Sequence, residues 1–169
     1  VYGVLLNFRA ELQALAPQMN EPPYKAPPKA PILYIKPANT WSASGAAIAV
    51  PANAPQVEIG ATIAMVMGQD AQAVKAGDAL KYIKGYVLMN DLSVPHESFY
   101  RPPVKYKCLD SFLGVGPSCV AAQANSDPAH FTLAVRINGA LRQSVNFANL
   151  VRKAAQLLAD VSDFMTLHR

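Results

Sequence analysis

An α+β fold dominated by strands is what the sequence predicts, and three observations carry that prediction. Apolar runs of strand length recur along the chain, at Val1–Leu6, Ile32–Lys36, Val57–Met67, Tyr86–Asn90 and Phe131–Ile137. A single stretch, from about Asn149 to Phe164, repeats apolar residues at helical spacing. Prolines are dense early on, at 22, 23, 27, 28, 31 and 37, and they keep that part of the chain extended.

Taken in order, Val1–Leu6 suits a strand and Glu11–Ala16 a brief helix. The proline-rich stretch from Glu21 to Pro31 leads into Ile32-Leu33-Tyr34-Ile35-Lys36, a β-rich segment that Pro37 stops. Thr40–Val50 reads as a loop of small residues with a short strand at its end. Val57–Met67 is apolar almost throughout, the pattern of a strand buried on both faces. Asp78 is placed to cap a short helix through Ile83, with Gly85 just past its end. Tyr86–Asn90 is the next strand. Phe131–Ile137 alternates, and Asn138-Gly139 has the chemistry of a two-residue hairpin turn. Leu150, Ala154, Leu157, Leu158, Val161 and Phe164 then line one face of an amphipathic helix.

The bulk properties exclude several classes. At 169 residues the chain suits a single domain, and with 51% apolar and 15% charged residues it is not disordered. The net charge of +4 is scattered, without a basic run interleaved with aromatics, so no nucleic acid is expected as partner. A small polyanionic ligand fits the same balance. Cys108 and Cys119 have neither zinc-finger nor CxxC spacing, which reads as reduced thiols in a cytoplasmic protein. No signal peptide is visible and no apolar run approaches the roughly 18–20 residues of a membrane span. The chain starts without methionine and stops just after a helical pattern, so it reads as a piece truncated at both ends.

Chemistry could gather in one region. Asn90-Asp91 ends a strand, where a carboxylate either presents itself at a sheet rim or caps the turn at Leu92-Ser93. His96, Glu97, Tyr100, Arg101, Lys105, Lys107 and Asp110 follow, in a stretch that prolines 95, 102 and 103 keep irregular. This is either a binding loop or a solvated surface loop. No nucleophile elbow, phosphate-cradling glycine loop or HExxH pair is present.

Several of these segments resemble the fumarylacetoacetate hydrolase family. Gly85-Tyr86-Val87-Leu88-Met89-Asn90-Asp91-Leu92-Ser93 is similar to its GY…ND(V)S signature, and Lys107-Cys108-Leu109-Asp110-Ser111-Phe112 with Gly116-Pro117 to its KS-D-F…GP element. Lys36-Pro37, Ile137-Asn138-Gly139 with Arg142-Gln143, and Phe164-Met165-Thr166-Leu167 match further motifs in order. Pro23–Lys29 and Glu97–Pro102 resemble the amino-terminal half of the two-part isomerase/decarboxylases of 4-hydroxyphenylacetate (homoprotocatechuate) catabolism. The resemblance implies a distorted β-barrel or roll with few peripheral helices, its carboxy-terminal strands lying beyond this chain. It also implies a 2-oxo or 2-hydroxy dioate substrate carrying two or three negative charges, and a homo-oligomer or pairing with a homologous half. Lys107, Asp110 and Lys36 would be catalytic, and Arg101, Tyr100 and Lys105 would bind substrate.

In that family a Glu-x-Glu on a strand and a later Asp hold a divalent cation, usually Mg²⁺, which polarises the 2-oxo acid. Here Gly60 and Thr62 occupy the first two positions and only Asp91 remains, so weak metal binding or none is expected. Glu58 shares their parity but lies one residue pair further along the strand. Without a metal, Asp91 is expected to be neutralised by a cation, Lys107 first. The histidine used by hydrolytic members is absent from Asn7-Phe8-Arg9-Ala10-Glu11, which disfavours hydrolysis. The alternative to an enzyme is a degenerate structural half that pairs with a metal-bearing one.

Overall fold

The structure, a computed structural model, describes residues 1–54, 56–96, 103–123 and 126–169. It contains eight strands and four short α-helices among those residues. In order they are β1 (Tyr2–Leu5), α1 (Arg9–Leu15), β2 (Ile32–Ile35), β3 (Trp41–Ala43), β4 (Glu58–Met67), α2 (Ala76–Ala79), β5 (Ile83–Ser93), α3 (Val104–Lys107), β6 (Leu113–Ala121), β7 (Thr132–Ile137), β8 (Ala140–Asn146) and α4 (Ala154–Ser162). The strands form three sheets: β1-β2, β3-β6-β5-β4 and β7-β8. The mixed, strand-rich class agrees with the sequence. No sheet among the described residues closes into a barrel, so the distorted-barrel description is not confirmed.

The chain divides into two compact units, each drawn from three separate stretches. The first comprises Val1–Gly3, Leu33–Ala64 and Val87–Cys119. In it β3 pairs with β6 in parallel, Trp41 opposite Leu113 and Ala43 opposite Val115. Phe112 and Leu113 are its most deeply buried apolar residues. Gly116 marks a close approach of β6 to β5, since a Cβ there would lie 2.9 Å from the Leu88 carbonyl oxygen.

The second unit comprises Val4–Ile32, Met65–Tyr86 and Val120–Arg169. Its core gathers Val74, Ala79, Phe147, Leu158 and Val161. Tyr86 meets Phe131 edge-to-face at 5.2 Å, and Phe8 meets Phe147 at 5.8 Å. Ser162 ties α4 to the segment before α2, its carbonyl accepting from Ala73 N and its hydroxyl from Val74 N. The β7-β8 hairpin turns through Asn138 (φ 52) and Gly139 (φ 78), as its Asn-Gly pair predicts.

Several local expectations are corrected. The short strand of the 40–50 region lies at its start, as β3, because Ser42 donates to the Ser111 and Leu113 carbonyls there. β4 is only partly buried, none of its residues fully, because it is the edge strand of its sheet. Asp78 lies inside α2, and Lys75 is the residue at its cap. β5 runs three residues beyond Asn90, so Asp91 sits within a strand and caps no turn. The helix expected from Asn149 begins only at Ala154, after a separate 3₁₀ turn at Phe147–Asn149. No helix among the described residues is long and apolar enough to cross a membrane.

Candidate functional site

The region of interest lies within the first unit. Tyr34 lies in β2 and Lys36 directly follows its last residue, so the two are spaced to leave the same face of an extended backbone. β5 brings Asp91 up beside them, and the single-turn helix α3 ends in Lys107. Lys36 is 1% exposed, and Asp91 and Lys107 are each 7% exposed.

The contacts are dense. Lys36 Nζ lies 2.8 Å from the Leu92 carbonyl oxygen, 2.8 Å from that of Phe112 and 2.5 Å from that of Lys107. It also lies 2.8 Å from Asp91 Oδ1. An ammonium has three protons for these four oxygens. The three carbonyls take the hydrogen bonds, and Asp91 Oδ1, which has no hydrogen-bond partner among the described residues, is held by charge. Burial pushes the Lys36 ammonium below the ordinary lysine range, while the Asp91 carboxylate draws it back up.

The other carboxylate oxygen is equally occupied. Asp91 Oδ2 accepts from the Tyr34 hydroxyl and lies 3.3 Å from Lys107 Nζ. Lys107 Nζ also sits 4.7 Å from the centre of the Tyr34 ring. Lys107 therefore does neutralise Asp91, as the sequence predicts. Lys36 comes closer still, because the three carbonyls converge on it.

Two further predicted residues, Asp110 and Lys105, lie at the surface. Asp110 is exposed and accepts at 2.8 Å from Asn39 Nδ2, which also donates at 3.1 Å to the Cys108 carbonyl. Ser111 follows in the left-handed region at φ 66, its N–H donating to the Asn39 carbonyl. Lys105 is exposed on α3, and Tyr100 and Arg101 lie outside the described residues. Sequence reasoning missed Tyr34 as a member of the site, and Asn39 as the partner of Asp110. The i, i+2 relation of Tyr34 to Lys36 was the available signal for the first.

The described residues do not fit a divalent metal. Gly60 and Thr62 on β4 supply no carboxylate, and Glu58 is exposed at the start of that strand. Among the described residues no three His, Cys, Asp or Glu side chains stand close enough to hold an ion. Asp91, which alone of the three family ligand positions keeps a carboxylate, is already committed to two ammonium groups and a hydroxyl.

The family model for the fumarylacetoacetate (FAA) hydrolase C-terminal domain matches residues 1–169. The chain belongs to the fumarylacetoacetate hydrolase family. A member of this family from Escherichia coli, the 4-hydroxyphenylacetate degradation bifunctional isomerase/decarboxylase, is 43% identical over 168 residues, covering 99% of this chain and 38% of that protein. The chain thus spans about two fifths of the length of such curated relatives. Two solved structures share the fold, each covering 83% of this chain and 55% of its own, with a TM-score of 0.73. They are the 2-hydroxyhepta-2,4-diene-1,7-dioate isomerase of Mycobacterium marinum, at 29% identity, and the 5-carboxymethyl-2-hydroxymuconate delta-isomerase of Mycobacterium smegmatis, at 27%.

Proposed function

We propose that this chain is one domain of an isomerase/decarboxylase of 4-hydroxyphenylacetate breakdown, acting on 2-oxo and 2-hydroxy dioates through an enolate. The observation that carries the reading is the 43% identity, over 99% of the chain, to a protein so described. The buried Lys36–Asp91–Lys107 cluster gives it a physical basis. Decarboxylation leaves the electron pair of the broken C–C bond on an enolate, and isomerisation passes a proton through the same kind of anion. Lys107 is the cation placed to meet that developing oxyanion or to move the proton. Lys36, with all three protons committed to carbonyls, is a positioning residue that holds Asp91 and, through it, Lys107. Asp110 would act at the exposed end of the same segment, and Arg101, Tyr100 and Lys105 would bind the substrate carboxylates. The domain would work paired with a homologous half or with a second copy of itself.

A second reading has its own support. Gly60 and Thr62 favour a degenerate half that completes an assembly with a metal-bearing domain. One assay separates them: absorbance-followed turnover of 2-hydroxyhepta-2,4-diene-1,7-dioate by the parent and by Lys107→Met, with and without Mg²⁺. Turnover that falls by about 100-fold or more in Lys107→Met supports the catalytic reading. No turnover by the parent under either condition supports the structural one.

A further inference from the structure

We infer that Asp91 serves this chain as the counter-ion of two lysines and not as a metal ligand, and that the backbone at Gly60 fixes that exchange. The inference rests on the family correspondence of positions 60, 62 and 91 used in the proposed function.

Consider first what a dication would meet at Asp91. Lys36 Nζ lies 2.8 Å from one carboxylate oxygen and Lys107 Nζ 3.3 Å from the other, which also accepts from Tyr34. An ion bound there would sit within a few ångströms of two ammonium groups, in a buried place where like charges repel most strongly. Those ammonium groups cannot simply withdraw. Lys36 is fixed by three backbone carbonyls, and Lys107 is buried against the Tyr34 ring.

Consider next what recovery of the missing ligands would require. A Cβ at position 60 would stand 2.5 Å from the Asp91 carbonyl oxygen and 3.4 Å from its Cβ. Side-chain carbons do not approach a backbone oxygen that closely, so any residue but glycine at 60 forces β4 and β5 apart. The second carboxylate is therefore barred by the backbone, not merely absent from the side chains. At position 62 a neutral hydroxyl stands instead of an anion. Two ammonium groups against one carboxylate leave one positive charge, so an anionic oxygen of a small carboxylate would meet Lys107 without a bridging ion.

The test uses Mn²⁺ as the probe, by electron paramagnetic resonance and calorimetry, with melting temperatures of the parent, Asp91→Asn and Gly60→Ala. The parent is expected to bind no Mn²⁺ tighter than about millimolar. Its melting temperature should not move with Mg²⁺, and Gly60→Ala should lower it by several degrees. Tight one-to-one binding by the parent overturns the inference, unless Asp91→Asn binds equally, which places that ion elsewhere and upholds it. Should Asp91→Asn not fold, tight one-to-one binding by the parent counts against the inference. Gly60→Ala as stable as the parent overturns the backbone part on its own. No readout uses turnover, so failure of the proposed activity is recognised separately.

Discussion

Lys36 is the residue on which the candidate site depends most, because one ammonium group answers four oxygens. Replacing it by methionine keeps the volume but takes a donor from three buried carbonyls and one of two cations from Asp91. Removing one partner of a buried pair costs about 3–5 kcal/mol, so Lys36→Met should lower the urea midpoint by that equivalent. An unchanged midpoint would show that the cluster contributes nothing to stability. Tyr86 offers a test by pH. Burial raises the pKa of its phenol above the ordinary value of 10.0, and its hydroxyl donates to the Ser126 carbonyl at 2.7 Å. A raised folded-state pKa means that the unfolded chain loses this proton first. The stability it contributes is present below pH 10.0 and is lost as pH rises through the folded value. The advantage of the parent over Tyr86→Phe should therefore shrink above that pH, and a constant gap in denaturation midpoints would contradict it. Within the site, Lys36, Asp91 and Lys107 were legible from motifs, and so was the pairing of Lys107 with Asp91, but the closer approach of Lys36 to Asp91 was not. Asp110 was read as catalytic because its segment resembles a family motif. The turn at Ser111 instead leaves Asp110 exposed, held by Asn39.

At the scale of elements, the hairpin of β7 and β8 is governed by its own two turn residues. Both Asn138 and Gly139 have positive φ, and a β-branched residue tolerates that region poorly. Gly139→Val should cost about 1–2 kcal/mol in a thermal melt, whereas Asn138→Gly should change little. Equal stability of the two variants would argue against this turn geometry. That hairpin was legible because its chemistry is local and complete in two residues. β6 was not, because Gly114, Gly116 and Pro117 weaken any strand signal. The glycine at 116 is there because β5 comes too near to admit a side chain, a fact that only the pairing reveals. Helix α4 was legible in type but not in extent. Lys153 is extended at its start, and the apolar Leu150 belongs to the end of a 3₁₀ turn that shares the helical spacing.

For the whole molecule the surplus of positive charge bears on which substrates approach. The chain carries a net +4, and the Lys36–Asp91–Lys107 cluster keeps one positive charge after pairing. Under the proposed activity, a dioate with two or three negative charges would be attracted over a distance set by the Debye length, about 10 Å at 0.1 M salt and about 3 Å at 1 M. Under that activity the final contact with Lys107 would differ, because that ammonium is buried and the solvent ions that screen the surface reach it poorly. Under the proposed activity the two stages should separate in kinetics. Raising the salt from about 0.05 M to about 0.5 M should raise KM several-fold while kcat stays within about two-fold. A neutral salt series with a constant-charge buffer measures both. A KM indifferent to salt would show that the overall charge plays no part in capture. A kcat that falls with KM would place the reacting oxyanion in contact with solvent, away from the buried lysine.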